Sequence, residues 1–292
     1  MLIKPLGEYK APRHTLDAEE DTITKPFPKP IIVVELVEDI KSIDYVVISP
    51  STLSVLSDSF ESTKIVGSIQ IIYDLSVTQS PSREGLDEED AEDYNIIEQL
   101  YSANRVNRFE TNILGKIDIK LHTSGTNSVI SIVIPRFSNI ITFNLIAKAI
   151  TEKFIPLIKN QWIVLAPCSL NNNSTINKLI VNSHKSTDKS DEEQSQILEA
   201  IPYLKPPHFI TGISGAIVSQ LNKLEQVSVL TLVLDSEGHS GFEKSSSDSI
   251  VDSAFVLGSI LLPDSIKQHE YVKAVSEKVR KLNGFSNSGM YI

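Results

Sequence analysis

The chain has 292 residues, 41% hydrophobic and 22% charged, which is enough apolar material for a sizeable core and excludes disorder of the whole. Its formal net charge of -10, with no cluster of Lys and Arg, argues against a nucleic-acid surface and leaves proteins or small molecules as partners. The single cysteine, Cys168, cannot form an intrachain disulfide, which fits a reducing compartment such as cytosol or nucleus.

The N-terminal segment is predicted to be an extended arm over residues 1–30. Five prolines between Lys4 and Pro30 lie too close together for a helix or a strand ladder. The start, MLIKPLGEYK, lacks the apolar core of a secretory signal. No apolar run approaches the roughly 20 residues that span a bilayer, so we expect no membrane partner.

Residues 31–284 are predicted to form one α/β domain with two polar loop insertions. "DYVVIS" (44–49) has the pattern of a buried strand, and "KIVGSIQIIYDL" (64–75) alternates in part, as a half-solvated strand does. The first insertion, 79–95, carries seven carboxylates against one arginine and is expected to be disordered. We favour a solvated loop there over an acidic contact to a basic partner.

The middle of the chain predicts a hairpin followed by a helix and a strand. Segments 108–123 and 128–135 flank Ser124–Asn127, a good turn composition, and predict an antiparallel hairpin. Apolar residues at helical spacing then predict a helix that ends near Pro156. "QWIVLAP" (161–167) reads as a buried strand, so strand, helix and strand suggest a parallel pair.

The C-terminal half continues the alternation of strands and helices. A second polar insertion, 182–196, is expected to be a mobile loop after the apolar piece 176–181. Residues 210–224 predict a helix with Thr211 as its cap, and 227–234 predict the strongest buried strand. Two further helices are predicted within 247–262 and 265–282. The order predicts α/β layers.

The sequence contains no dinucleotide, P-loop, paired-cysteine or zincin signature, so we assign no cofactor and no metal site. Ser214 in "TGISGA" lies on a Gly-rich turn but misses the G-x-S-x-G spacing of a nucleophile elbow. We interpret the glycines as sites of close helix packing. His122, His184, His208 and His269 show no ligand spacing and are interpreted as surface or core histidines.

The strongest case for chemistry is the loop "LDSEGHSGFEK" (234–244). Asp235, Glu237, His239 and Glu243 follow a predicted strand end, where α/β proteins usually place ligand sites, and could supply a general base or metal ligands. Gly238 and Gly241 indicate a tight loop, in which such residues also satisfy their own backbone. We favour a structural or partner-contact loop that includes Phe242 over a catalytic one.

The last residues, "SNSGMYI", are predicted to form a flexible tail over 285–292. Small polar residues cannot bury enough surface to order themselves, so Met290, Tyr291 and Ile292 would sit on a tether. Such an end offers a carboxylate, a phenol and an apolar side chain to a partner. This is the chemistry of terminal-carboxylate capture.

The segments "PPHFITGISGAIVSQL", "LDSEGHSGFEK" and "SGMYI" together resemble the larger subunit of the heterodimeric proteasome assembly chaperones, the proteasome assembly chaperone 1 family of eukaryotes. The start, "MLIKPLGEYKAPRHTLD", is similar to that family's start. The resemblance implies a Rossmann-related α/β sandwich without enzymatic activity, in the cytoplasm and nucleus. The resemblance also implies pairing with a second, homologous chaperone and binding of the pair to the outer face of the proteasome α-ring.

The same resemblance implies a role for the last three residues. Met290, Tyr291 and Ile292 match the family's C-terminal hydrophobic-Tyr-X motif, which enters a pocket between adjacent α subunits, where a lysine meets the carboxylate. Ring assembly would be promoted and premature docking of activators blocked. Two alternatives stay open: an α/β hydrolase or phosphorylase-like enzyme using Asp235, Glu237 and His239, and a scaffold for another ring assembly bound through the same tail.

Overall fold

The computed structural model describes residues 30–37, 40–61, 63–72, 116–124, 127–137, 140–182, 191–224, 227–238 and 242–287. The strands of this part of the chain are β1 (Ile31–Leu36), β2 (Ile43–Pro50), β3 (Thr63–Ile72), β4 (Ile117–Ser124), β5 (Asn127–Ile134), β6 (Ile158–Cys168), β7 (Ile176–Val181), β8 (Val229–Glu237) and β9 (Lys244–Ser245). The helices are α1 (Ser54–Ser57), α2 (Ile140–Phe154), α3 (Asp191–Ala200), α4 (Gly212–Leu221), α5 (Ser247–Leu261) and α6 (Ser265–Asn287).

One sheet runs through the domain in the order β1-β3-β4-β5-β2-β6-β8-β7, and β9 pairs with β8. Its centre is parallel, because β2 pairs in parallel with β5 and β6, and β6 pairs in parallel with β8. Antiparallel strands extend it on both sides, with β4, β3 and β1 beyond β5 and with β7 beyond β8. The predicted hairpin is confirmed by the antiparallel pairing of β4 with β5.

The predicted parallel pair is corrected in one respect. β5 and β6 run in the same direction, but β2 lies between them and pairs with both. A local pattern can indicate that two strands joined by a helix run in the same direction. Which strand lies next to β5 and β6 depends on β2, some eighty positions earlier in the chain than β5. That long-range choice is invisible in a local window.

Helices cover both faces of the sheet, which explains why the central strands are apolar along their whole length. On one face, α2 and α4 pack side by side, with α2 against β1 and α4 against β2, β6 and β8. The buried residues there recur at helical spacing and meet alternate strand residues: Ile146, Ile150 and Phe154 of α2; Ile213, Ile217 and Leu221 of α4; Trp162 and Val164 of β6. The structure confirms the predicted helix ending near Pro156, observed as α2, and the predicted strand 161–167, which lies within β6.

The opposite face is covered by α5 and α6, with α1 and α3 at its margins. Its buried residues include Ala254, Leu257 and Leu261 of α5, Tyr271, Val275 and Val279 of α6, and Leu230, Leu232 and Leu234 of β8. The Tyr271 hydroxyl donates to the Leu56 carbonyl at 2.8 Å, which fixes α6 to α1. Burial raises the pKa of this phenol far above its usual range, so it stays a neutral donor. The predicted α/β sandwich in a single domain is confirmed.

The structure differs from the prediction in the burial of one strand and in the ends of two helices. The central residues of β3, 66–69, are all buried, so the predicted half-solvated alternation is wrong there; β3 is an internal strand between β1 and β4. Helix α3 begins at Asp191, inside the predicted loop 182–196, because its acidic start suits a helix N-terminus. Helix α6 continues to Asn287, past the predicted start of the tail at 285.

Several predicted segments lie outside the described residues. They are the arm over 1–29, the insertion 79–95, residues 183–190 of the second insertion, and the end of the chain from 288. Pro30, the last residue of the predicted arm, is buried. Among the described helices, none combines the length and apolar character that crossing a membrane requires.

Candidate functional site

A crevice lies at the carboxyl ends of the parallel strands, where open α/β sheets bind ligands. It encloses about 560 Å³. Its walls come from the turns after β2 and β5, the end of β6 and the first turn of α4. The residues with charged or aromatic side chains along it are Arg136, Phe137, Phe143 and Glu243. Its volume is that of a small-molecule site.

The first turn of α4 contains two glycines with different structural roles. Gly212 has a φ of +60°, a conformation that favours glycine, and Thr211 precedes the helix at the N-cap with extended backbone but no capping hydrogen bond from its side chain. A Cβ on Gly215 would lie 2.7 Å from the Ile210 carbonyl oxygen. The interpretation of these glycines as packing sites therefore holds for Gly215, whereas a Cβ on Gly212 would have open space and this position favours glycine through its φ alone.

Ser214 is a structural residue in this turn. Its hydroxyl is buried and donates to the Leu165 carbonyl oxygen at 2.6 Å, which ties the helix to β6. This bond gives the hydroxyl hydrogen to a carbonyl oxygen, whereas an activated nucleophile gives it to a base. The structure therefore agrees with the absence of a nucleophile elbow in the sequence.

Asp235 holds the loops around the end of β8. The Leu170 N–H donates to its Oδ1 at 2.9 Å, and its own N–H donates to the Thr175 carbonyl at 2.9 Å. Its carbonyl accepts from the Ser246 N–H at 3.2 Å and from the Ser249 hydroxyl at 3.1 Å. These bonds place the start of α5 against the end of β8. The carboxylate thus serves the backbone, as the sequence analysis favoured.

Beyond Ser236, the described residues of the loop are exposed or partly exposed. Glu237 is exposed and pairs with Lys244 across β8 and β9, and Gly238 has a φ of +111°. A Cβ on Gly238 would lie 3.1 Å from the Phe242 carbonyl oxygen, so the turn itself requires glycine. His239 lies outside the described residues. Asp235 and Glu237 do not line the crevice, although Glu243 does.

Phe242 takes part in a contact that the sequence analysis did not foresee. Its ring is 69% exposed, and the Arg136 guanidinium carbon stands 3.6 Å from the ring centroid. This cation–π pair joins the turn after β5 to the loop after β8 at the mouth of the crevice. An arginine directly after a strand and an aromatic residue in a glycine-rich loop are the only sequence signals of it.

Two other side chains with reactive groups, those of Cys168 and His122, make contacts within the fold. Cys168, at the end of β6, contacts the Phe209 carbonyl at 3.4 Å, and burial raises the pKa of its thiol. His122 is buried, as one of the two sequence interpretations allowed. Among the described residues, no group of three or more His, Cys, Asp or Glu side chains is placed to hold a metal ion.

The predicted partner-binding residues Met290, Tyr291 and Ile292 lie outside the described residues. Helix α6, which leads toward them, is described to Asn287. Tyr271, Val275 and Val279 anchor this helix in the core, and the Lys278 ammonium donates to the Asp58 carbonyl at 2.5 Å. Helix α6 is therefore firmly packed along Tyr271–Val279.

Comparisons with known proteins give one match along the whole sequence. The family model described as POC1 chaperone matches residues 1–292. No curated protein matches significantly.

Solved structures with a similar chain course include two crystal forms of Pyrococcus furiosus PbaA, described as an archaeal homolog of proteasome-assembly chaperone. Their TM-scores are 0.48 and 0.46 at 15% identity, over 87% of this chain and 97% and 93% of theirs. Schistosoma mansoni purine nucleoside phosphorylase in complex with adenosine is similar with a TM-score of 0.34 at 9% identity, over 87% of this chain and 90% of that chain. Likenesses at this level carry no argument about function.

Proposed function

This chain belongs to the POC1 chaperone family, and on that premise we propose that it is a non-enzymatic chaperone of 20S proteasome assembly. It pairs with a second, homologous chaperone, and the pair binds the outer face of the proteasome α-ring. Binding promotes formation of the ring and keeps activators from docking too early. The chaperone works in the cytoplasm and nucleus, where proteasomes are assembled.

The binding element is the C-terminal hydrophobic-Tyr-X motif, Met290, Tyr291 and Ile292. It enters a pocket between adjacent α subunits, where the terminal carboxylate meets a lysine and the tyrosine ring is buried. The observation that carries the proposal is the family match, which extends through these last residues. Since activators use the same kind of tail, occupation of the pocket excludes them.

The packing of α6 supports this use of the tail. Its backbone remains helical to Asn287, five residues before Ile292, and Tyr271, Val275 and Val279 hold it in the core. A short tether on a fixed helix explores a small volume. Once the body is docked, the tail's effective concentration at a nearby pocket is therefore high.

Magnitudes indicate that the tail acts together with the body. Burial of Met290 and Tyr291 contributes at most roughly 1.5 to 3 kcal/mol each, and a carboxylate–lysine bond about 1.5 to 3 kcal/mol. Ordering of the tether opposes much of this sum. A lone tail therefore binds in about the micromolar range or weaker. Linkage to the body and to the partner's own contacts multiplies affinity by about 10² to 10⁴.

Deletion of Met290–Ile292 tests the proposal. We expect affinity for purified α-rings to fall by about 10- to 100-fold, since a few kcal/mol of tail contacts are lost. Binding is measured on immobilised rings with the native C-terminus kept free of tags. Tyr291→Phe, which keeps the ring and loses only the hydroxyl, should lose less than Tyr291→Ala.

Controls separate this effect from misfolding. The truncated chain should keep its thermal midpoint and its pairing with the second chaperone, because the described core ends before these residues. Residues appended after Ile292 should weaken ring binding as deletion does, since they displace the carboxylate. Unchanged ring affinity after deletion would refute the tail's role. Pull-down of a different ring assembly would replace the proteasome as partner.

The enzymatic alternative has less support. Asp235 is committed to the Leu170 N–H and does not line the crevice. The Ser214 hydroxyl is bonded to a backbone carbonyl. We therefore expect His239→Ala to leave ring binding intact, and a loss of function in this variant with normal tail binding would favour the enzyme.

A further inference from the structure

The two edges of the sheet differ in how they are finished. Outside β7, the segment around Tyr203 forms a bridge: the Lys178 N–H donates to the Pro202 carbonyl, and the Leu204 N–H donates to the Lys178 carbonyl, both at 2.8 Å. At Lys178, that edge is covered by the chain itself. Outside β1, no strand of the described part of the chain forms a pair.

One hydrogen bond at the end of β1 shows which residues of β1 bond to β3 and which face the open edge. The Val37 N–H donates to the Val66 carbonyl at 2.8 Å, which continues the register Leu36↔Gly67. In an antiparallel ladder, directly bonded pairs alternate with unbonded ones. Odd-numbered residues of β1 therefore bond to β3. The N–H and C=O groups of the even residues Ile32, Val34 and Leu36 face the open edge.

Within Ile31–Leu36, this edge lacks the usual protections that a strand's own residues provide against another strand. Natural edges are blunted by lysine, proline or bulges, whereas β1 reads IIVVEL and pairs with β3 without a register shift. Its one charge, Glu35, accepts from the Gln70 amide at 3.0 Å. Ile31 and Val37, at its two ends, are 56% and 83% exposed.

We propose that β1 pairs antiparallel with β1 of a second copy of this chain, about a two-fold axis at Val34. This register sets Val34 opposite Val34 and Ile32 opposite Leu36. All three outward residues of each strand then form directly bonded pairs. The sheets of the two copies become continuous.

Side chains favour the same register. On the exposed face, Ile31 of one copy lies opposite Val37 of the other, so the two exposed apolar ends cover each other. Glu35 lies opposite Val33. A shift in one direction sets Glu35 opposite Glu35, and a shift in the other sets Pro30, which has no N–H, opposite Leu36. The strand is thus complementary to itself in this register.

The dimer is expected to be weak and concentration-dependent. One pair of short strands buries less than the roughly 1,200 to 2,000 Å² of a standard stable interface, so we expect dissociation in about the micromolar range. The pairing does not use Met290–Ile292. Its failure would therefore leave the proposed tail function untouched, and loss of tail binding would leave the dimer untouched.

Sedimentation equilibrium of the full chain tests the proposal. The average mass should rise from one chain toward two as concentration rises through about the micromolar range. The variant I31K/V37K places lysine opposite lysine twice and should weaken association at least about 10-fold. The variant I31K/V37E places lysine opposite glutamate and should recover association to within about 3-fold of the original chain.

Ile72→Lys is the matched control. Ile72 lies on β3, where it pairs with Ile31 of β1. It is 47% exposed on the same face of the sheet, but it does not lie on the edge strand. It should leave association unchanged, and circular dichroism should show every variant folded. A monomer at all concentrations, failure of I31K/V37E to recover, or equal weakening by Ile72→Lys would overturn the proposal. So would amides of Ile32, Val34 and Leu36 that are protected from exchange in a monomer, since another segment of the chain would then cover the edge.

Discussion

His122 is a histidine enclosed by hydroxyl and aromatic groups. Its side chain is nearly fully buried, Nε2 lies 2.7 Å from the Ser131 hydroxyl, and Nδ1 lies 3.1 Å from the Thr63 hydroxyl. The Phe60 ring lies 4.9 Å away between centroids. Burial, and then the positive charge of Lys120, lower its pKa from 6.5 to about 4, although the carboxylate of Asp58 acts in the other direction.

The lowered pKa of His122 predicts that the folded protein loses stability in acid. The unfolded chain binds a proton at His122 below about pH 6.5, whereas the folded chain resists it until about pH 4. The stabilisation is therefore fully present above pH 6.5 and lost as the pH falls toward 4, up to about 3 kcal/mol. Urea unfolding of the original chain and of His122→Gln at several pH values measures it.

The comparison with His122→Gln isolates this residue from the carboxylates, which titrate in both proteins. The free-energy difference between them should shift in favour of the glutamine variant as the pH falls. Parallel pH profiles for the two proteins would contradict the assignment of this loss to His122.

At the scale of elements, the approach of β1 to β3 depends on one glycine. A Cβ on Gly67 would lie 2.3 Å from the Glu35 carbonyl oxygen and 3.1 Å from the Leu36 Cα, both backbone atoms. Gly67 also adjoins the register shift between β3 and β4. The two strands can therefore pair at this separation only without a side chain at position 67.

Gly67→Ala should lower the free energy of unfolding by roughly 1 to 3 kcal/mol, because the backbone of β1 must move. Gly258→Ala in α5 is the matched control. Its Cβ would meet nothing closer than the Tyr271 Cδ1 at 3.5 Å, so alanine should be neutral or stabilising by up to about 1 kcal/mol. Urea denaturation measures both, and equal effects at the two positions would contradict this reading of the strand contact.

The elements also show how much of the fold could be predicted from the sequence. The helices α2 and α5 and the strands β6 and β8 were predictable, since long apolar patterns with clear ends decide them. The start of α3 was missed, because its acidic residues resemble a solvated insertion until Ile197 and Leu198 pack on the core. The place of β2 between β5 and β6 depends on partners distant in sequence.

The candidate site also has parts that the sequence predicts and parts that it does not. The loop at 234–244 and its preference for a structural role follow from its glycines and its place after a strand. The stacking of Arg136 on Phe242 could not be predicted, because it joins residues more than a hundred positions apart. Met290, Tyr291 and Ile292 lie outside the described residues, and the prediction of their role rests on the sequence.

At the scale of the molecule, one sheet is shared by two apolar layers. Trp162, the single tryptophan, is 1% exposed and lies in the layer under α2 and α4. The neighbouring residues Ile163 and Leu165 of the same strand lie in the layer under α5 and α6. Neither layer can open without disturbing the strand that both use.

We therefore predict that Trp162 fluorescence and far-ultraviolet circular dichroism report the same urea midpoint. Fluorescence follows the layer under α2 and α4, and circular dichroism follows all helices. Because β6 belongs to both layers, the transition should be cooperative. Separate midpoints would mean that α5 and α6 detach before the rest.

The position of β2 has a consequence for how the chain reaches this structure. β2 is made early, yet its neighbours on both sides, β5 and β6, follow only after β3 and β4 have been made. Pairings between distant segments form slowly, since a long loop must close before any contact rewards it. During that interval, both edges of a strand reading IDYVVISP are unpaired and open to other chains. A protein of the chaperone class thus carries, in its own central strand, the kind of exposed segment that a folding chain must shield until late partners arrive.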